Sequence, residues 1–188
     1  MIRLLQYVFG YVALPIEAVA QVKCGVRVIR SQLSDKGQYP VYQNSMTPLG
    51  YSDKKNCTVD TAFIISAGAA GEIGYSGSDF WAADDCIYFD CSEHLKSRFL
   101  YYVLQSRQAC ILTKVRKASV PRLSRTVIEK MIVSIPPLKE QERIISILDR
   151  FDTLCNDLTS GLPAEIEARQ KQYEYYRDKL LTFKELSA

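Results

Sequence analysis

Histidine is nearly absent from this chain of 188 residues: there is one, His94. Six cysteines (Cys24, Cys57, Cys86, Cys91, Cys110 and Cys155) are scattered without a CxxC pair. A zinc centre needs several such ligands at short spacing, so no metal is expected. The thiols read instead as reduced, partly buried side chains of a cytoplasmic protein. Long apolar runs are missing too. The opening MIRLLQYVFGYVALPIEAVAQ is broken by Arg3, Pro15 and Glu17. It is too short and too interrupted for a spanning helix or a signal peptide, so no membrane contact is expected.

Catalytic motifs are equally scarce. The glycine-rich SAGAAGEIGYSG lacks the Lys-Ser/Thr pair of a phosphate-binding loop and does not open a helix in a βαβ unit. It reads as a tight hairpin between AFIIS and FWAADDCIYF, where Gly68, Gly71 and Gly74 permit positive φ. Such a bare turn could bring backbone amides to a phosphate, or serve the fold alone. AADDCIYFDCSEH gathers Asp84, Asp85, Asp90, Glu93 and His94, carboxylates of the kind that hold hard cations. Nuclease chemistry would also want a lysine on the same sheet, and the nearest, Lys96, falls on the following helix. The cluster is therefore read as turn and strand-end residues that cap a helix from Ser92. No nucleophile elbow is present, and one histidine offers little for a triad. The IPPL stretch lacks the Asn/Asp and aromatic of an amino-methyltransferase pocket. No catalytic residue and no cofactor are expected.

What the chain does have is an uneven charge. From Leu138 onward there are 8 Lys/Arg and 10 Asp/Glu, which leaves 16 and 11 before that point. Between Leu95 and Lys130 nine basic residues face Glu129 alone. A positive body joined to a near-neutral segment fits a body that meets a polyanion and a segment that meets protein.

The boundary falls at VSIPPLKEQERI. Val133-Ser134-Ile135 alternates as a final strand, and Pro136-Pro137 ends it. Residues 1–137 are expected to form an α+β body and 138–188 a helical arm. Ile144, Leu148, Phe151, Cys155 and Leu158 fall on one stripe of a first helix. Ser160-Gly161-Leu162-Pro163 interrupts it, and a second helix carries Ile166, Tyr173, Tyr176, Leu180 and Phe183. In line, two such helices would reach about 65–70 Å. The stripe is therefore expected to seek a helix of another chain in an antiparallel coiled coil.

In the body, PIEAVAQV reads as a short helix, and VRVIRS, PVYQ, AFIISAG, CIYFD and MIVSI as strands. SEHLKSRFLYYVLQSRQACIL reads as one helix. The strongest nucleic-acid signal is LTKVRKASVPRLSRTVIEK. There Lys114, Arg116, Lys117, Arg122 and Arg125 can neutralise phosphates and Ser119 can donate to them. Gln43, Asn44 and Ser45, with Lys54 and Lys55, occupy a polar connection whose amides and hydroxyl suit base edges. Gly68 and Gly71 complete the candidate DNA surface.

These segments resemble the DNA-specificity subunits of type I restriction–modification systems. GQYPVYQNSMTPLGYSDKKN is similar to an early strand and loop of their target-recognition domain, and FIISAGAAGEIGY to its glycine turn. KASVPRLSRTVIEKMIVSIPPLKEQERIISILDRFD is similar to the passage into the helical region, and GLPAEIEARQKQYEYYRDKLLTF to the helical spacer. The family usually joins two recognition domains and two spacers in pseudo-two-fold symmetry, whereas this sequence has one of each. The resemblance implies a non-catalytic subunit that binds double-stranded DNA. It also implies methyltransferase (modification) subunits and a restriction/translocase subunit as partners, and a homodimer through the arm. A coiled-coil adaptor, a truncated inactive specificity fragment and a small DNA-modifying enzyme are the competing readings.

Overall fold

The computed structural model describes residues 2–34, 37–158 and 163–183, with side chains except those of residues 30, 156–158 and 163–166. The first half of the chain holds α1 (Ile2–Phe9), β1 (Val12–Pro15), β2 (Ala20–Cys24), β3 (Tyr39–Tyr42), β4 (Gly50–Ser52), β5 (Thr61–Ile65), β6 (Ile73–Ser76), β7 (Trp81–Ala82) and β8 (Cys86–Cys91). The second half holds α2 (Ser97–Ser106), α3 (Gln108–Thr113), α4 (Arg125–Glu129), β9 (Ile132–Ile135), α5 (Leu138–Leu158) and α6 (Pro163–Leu181). The elements divide into two compact units: residues 15–133, and residues 1–14 together with 134–188.

In the first unit β5 is buried at all five positions, because it lies between two neighbours and beneath a helix. The antiparallel order is β2-β8-β5-β6, with Phe63 opposite Tyr88 on β8 and Gly74 on β6. A second sheet, β4-β3-β7, joins β3 to β7 in parallel. The rings of Tyr42, Phe63 and Phe80 meet at 5.0–5.6 Å in a cluster with Cys57, Ile65, Ala82 and Cys86. Each buried Phe is worth about 1.5–3 kcal/mol, which makes this cluster the anchor of both sheets. Helix α2 buries Phe99, Leu100, Tyr102, Val103 and Leu104.

Several local expectations are corrected. Only Ile16–Ala18 of PIEAVAQV is helical, as one 3-10 turn, and Ala20–Cys24 is strand. Pairing with β8 along five residues outweighs the helix propensity of two alanines. The VRVIRS segment forms no strand. Gly25 is pressed so close to the Ala82 and Ala83 carbonyls that a Cβ would lie 2.4 and 2.1 Å from them, and the chain leaves the sheet there. The single helix expected over 92–112 is two, α2 and α3, broken at Arg107. Ser106 returns its hydroxyl to the Val103 carbonyl at 2.8 Å, a bond that bends helices. Ser92 caps no helix: its hydroxyl accepts from the His94 amide in the turn before α2. The hairpin partner of β5 is β6, from within the glycine stretch itself.

The second unit also departs from expectation. In a continuous arm Phe151 and Tyr173 would lie about 33 Å apart. Their ring centroids are 6.3 Å apart, and Phe151 stacks on Tyr176 at 6.1 Å. The helices α5 and α6 therefore fold back on each other within one chain. Ile144 and Leu148 are fully buried and Tyr173 nearly so. Half-buried Phe183 stacks on Tyr11 at 5.6 Å, and Leu180 is also half-buried. Part of the surface expected to meet another chain, at Ile144, Leu148 and Tyr173, is covered within this one, while Tyr176 stays exposed. The Ser160-Gly161-Leu162 break and the side chains of Leu158 and Ile166 lie outside the described residues. Helix α1 is fixed by Gln6, whose amide donates to the Ile135 and Pro136 carbonyls at 3.2 and 3.0 Å.

Candidate nucleic-acid interface

Three connections of the first unit are tied together by main chain. After β3, the Asn44 carbonyl accepts from the Ala69 amide at 2.9 Å. In the turn after β5, Gly68 donates its amide to the Pro121 carbonyl at 3.2 Å, and Ser66 accepts from Leu123 at 2.8 Å. Arg116 and Arg122 exchange both backbone bonds, at 2.8 and 3.1 Å, closing the segment after α3 into a small loop. Residues 43–45, 66–71 and 114–123 thus form one composite surface. The sequence places them as far as 80 residues apart.

The two glycines make this joint possible, with the positive φ expected of them. Gly68 has φ +82°, and a Cβ there would lie 2.8 Å from the Asn44 carbonyl oxygen and 2.9 Å from its Cβ. Gly71 has φ +95°, and its Cβ would lie 2.8 Å from Leu112 Cδ2. Their amides are spent inside the protein, Gly68 on Pro121 and Gly71 on the Ile65 carbonyl at 2.9 Å. Their role is close packing of the loops rather than offering amides outward. Gly74 is not in the left-handed region; a Cβ would strike the Phe63 ring at 2.4 Å.

The side chains on this surface are largely unspent. Lys114, Arg116, Lys117, Ser119 and Arg122 are exposed or half-buried at the surface. The four cations among them have no ion-pair partner among the described residues. Asn44 stands beside them, Ser45 donates its hydroxyl to the Thr47 carbonyl at 3.0 Å, and Gln43 Nε2 reaches Asp84 Oδ1 at 3.5 Å. Sequence reasoning met Asp84 in the acidic stretch, as a candidate cation ligand or a turn residue, and not as a neighbour of Gln43. Held this way, Gln43 keeps its amide oxygen and its second amide hydrogen for recognition.

Other candidates lie elsewhere. Lys55 is at the opposite end of β3, ion-paired with Asp79 and 5.9 Å over the Tyr39 ring. That bond raises the Lys55 ammonium and holds the Asp79 carboxyl below its ordinary value. Lys54 lines a cleft of about 310 Å³ with Ser31, Gln32, Asp53 and Trp81. Arg125 bonds Glu129 at 2.6 Å on the first turn of α4, so its charge is compensated. The acidic stretch is dispersed: Asp90 pairs with Lys23 at 2.7 Å, and Glu93 lies 3.5 Å from His94. Among the described residues no group of three His, Cys, Asp or Glu could hold a metal ion, and no helix is long and apolar enough to cross a membrane.

A mixed α/β body with helices following it is also the architecture of solved specificity subunits. The subunit from Mycoplasma genitalium aligns with a TM-score of 0.72 at 19% identity, over 81% of this chain and 41% of that one. The HsdS subunit from Thermoanaerobacter tengcongensis aligns at 0.64 and 16%, over 94% and 48%. Residues 11–168 match the family described as "Type I restriction modification DNA specificity domain", and the chain belongs to it. The specificity subunit of the type I restriction enzyme MpnII from Mycoplasma pneumoniae is 32% identical over 173 residues, 89% of this chain and 52% of that protein. The EcoR124I/EcoR124II specificity subunit from Escherichia coli is 44% identical over 93 residues, 48% of this chain and 23% of that one. The chain spans about half the length of the MpnII subunit and of these solved structures.

Proposed function

We propose that this chain is a non-catalytic recognition component of a type I restriction–modification complex, reading double-stranded DNA with the surface built from residues 43–45 and 114–122. The observation that carries this reading is the set of four uncompensated surface cations beside amide side chains, all on one main-chain-braced surface. Lys114, Arg116 and Lys117 hold phosphates, which fixes register without reading sequence. Asn44, Gln43 and Arg122 read base edges. Arg suits guanine O6 and N7, and Asn suits adenine N6 and N7.

The protein delivers methyltransferase and nuclease/translocase subunits to the site and performs no chemistry of its own. Two copies of this chain, paired as a homodimer, make a bipartite reader. Two copies related by a two-fold read the same half-site in opposite directions. The direct test is binding to duplex DNA across salt concentrations. Phosphate contacts give a steep decline in affinity with salt, and replacing Lys114, Arg116 and Lys117 by alanine lowers the slope by about one unit for each phosphate no longer neutralised. A triple variant with unchanged affinity and slope would remove this surface from consideration.

A further inference from the structure

The segment after α3 stands on a base fixed by main chain. Arg122 is bridged on one side to Arg116 and on the other to Ala67, the latter through the Gly68–Pro121 and Leu123–Ser66 bonds. Leu123, just past this base, is buried at 4% exposure and anchors the segment in the core. Between the fixed ends, residues 117–121 read Lys-Ala-Ser-Val-Pro, and Val120 is 47% exposed.

A single exposed valine is ordinary on a protein surface, but the setting of this one is not. Lys114, Arg116, Lys117 and Arg122 flank it in sequence, and none of the four has an ion-pair partner among the described residues. Its shape is also preset. Pro121 restricts the residue before it to extended backbone, and branching at Cβ leaves valine few χ1 rotamers. Two methyl groups are thus held outward among cations, with little conformational freedom left to lose on contact.

We propose that Val120 reads a C5 methyl group in the major groove of the target, that of a thymine. The proposal rests on the DNA-reading surface proposed above and names a residue of it that has no hydrogen bond to give. Flanking cations on phosphates bring the segment to the duplex, and its tip enters the groove between them. Pressing Val120 onto hydrogen-bonding base edges would strip water from donors and acceptors without replacing it. The major groove offers one apolar group that matches it, the thymine methyl.

Selection from randomised duplexes with the full chain gives the site. Replacing each invariant thymine by deoxyuridine then removes its methyl and leaves every pairing group in place. At one position affinity should fall about three- to tenfold, the worth of one buried methyl contact. Val120→Ala should lose a similar factor on the thymine duplex and nothing further on the deoxyuridine duplex, because both changes remove the same contact. Val59, 46% exposed and outside the surface, is the control, and Val59→Ala should keep the full methyl effect. A selected site without an invariant thymine, deoxyuridine that weakens binding nowhere, or a methyl effect undiminished in Val120→Ala overturns the proposal. Absence of duplex binding, or an unchanged salt slope when Lys114, Arg116 and Lys117 are alanine, sinks the whole surface and Val120 with it. A reduced slope without a methyl effect keeps the surface and removes Val120 alone.

Discussion

Replacing Gly68 by alanine tests the joint on which the recognition surface depends. Two costs add. An L-residue at φ +82° loses about 1–2 kcal/mol to the left-handed conformation. The new Cβ also meets the Asn44 carbonyl oxygen at 2.8 Å and Asn44 Cβ at 2.9 Å. Ordinary contact begins near 3.4 Å, so the 43–45 loop and the glycine turn must separate by about 0.6 Å. Overpacking of this size costs about 1–3 kcal/mol, for a total of roughly 2–5 kcal/mol and a fall in melting temperature of roughly 4–20 °C. The separation also weakens the Ala69–Asn44 bond and shifts Asn44 relative to Arg122.

Selection from randomised duplexes should therefore show relaxed sequence choice, while the salt slope set by Lys114, Arg116 and Lys117 is retained. Gly77→Ala is the matched control, because a Cβ there meets nothing within 4 Å. A Gly68→Ala protein that melts with the control and selects the wild-type sequence would refute the reasoning.

Burial pushes the Cys57, Cys86 and Cys91 thiols up to about 12, whereas Cys24 and Cys110 are exposed. Alkylation of native protein at pH 8, read by peptide mass spectrometry, should label Cys24 and Cys110 rapidly and the other three only after unfolding. The Asp79 carboxyl is held low by its bond from Lys55, and that of Glu140 by its bond from Arg143. The stability each adds is complete above its unfolded value (3.8 and 4.5) and lost as pH falls through the lower folded value. Melting temperature should thus drop below about pH 4.5, more shallowly in Asp79→Asn and Glu140→Gln. Asn44→Ala and Arg122→Ala should each cost about 1–3 kcal/mol of discrimination at one base position, measured by competition with single-base variants of the selected site. Methylation mapping in cells where this is the sole specificity chain should reveal an interrupted palindrome; two unrelated half-sites would exclude the homodimer.

The sequence was most readable where one neighbour decides the outcome. Strands β5 and β8 are β-branched and aromatic runs whose identity survives any context, and α5 announces itself through its 3.6-residue stripe. Reading failed where a distant contact outvoted local preference. Ala20–Val22 looks helical until five residues of β8 pair with it. Val26–Ser31 looks extended, but the carbonyls that crowd Gly25 lie almost sixty residues away. The α5 stripe was legible as an apolar surface, yet a stripe carries no mark of who covers it, and at Phe151 the Tyr173 and Tyr176 rings of the same chain do. For the candidate DNA surface, residue chemistry was visible and convergence was not. Nothing in a linear reading separates Arg122, on the patch, from Arg125, three residues on and paired to Glu129.

That convergence has a consequence for how such a surface can change. The bonds that join the three loops run between backbone atoms: Ala69 to Asn44, Gly68 to Pro121, Leu123 to Ser66, and Arg116 with Arg122 in both directions. Any residue but proline at positions 116 or 122, and any residue at 44, supplies the same backbone partner. The side chains of Asn44, Arg116, Lys117 and Arg122 lie at the surface and add little to stability, since surface substitutions of this kind usually stay within about 0.5 kcal/mol. The frame and the reading groups are therefore separable. Gly68 and Gly71 are fixed by backbone geometry and close approach, whereas the residues they hold in place can be exchanged at little cost to the fold. Under the proposed reading, a surface built this way acquires a new DNA target by a few substitutions while its loops remain in register.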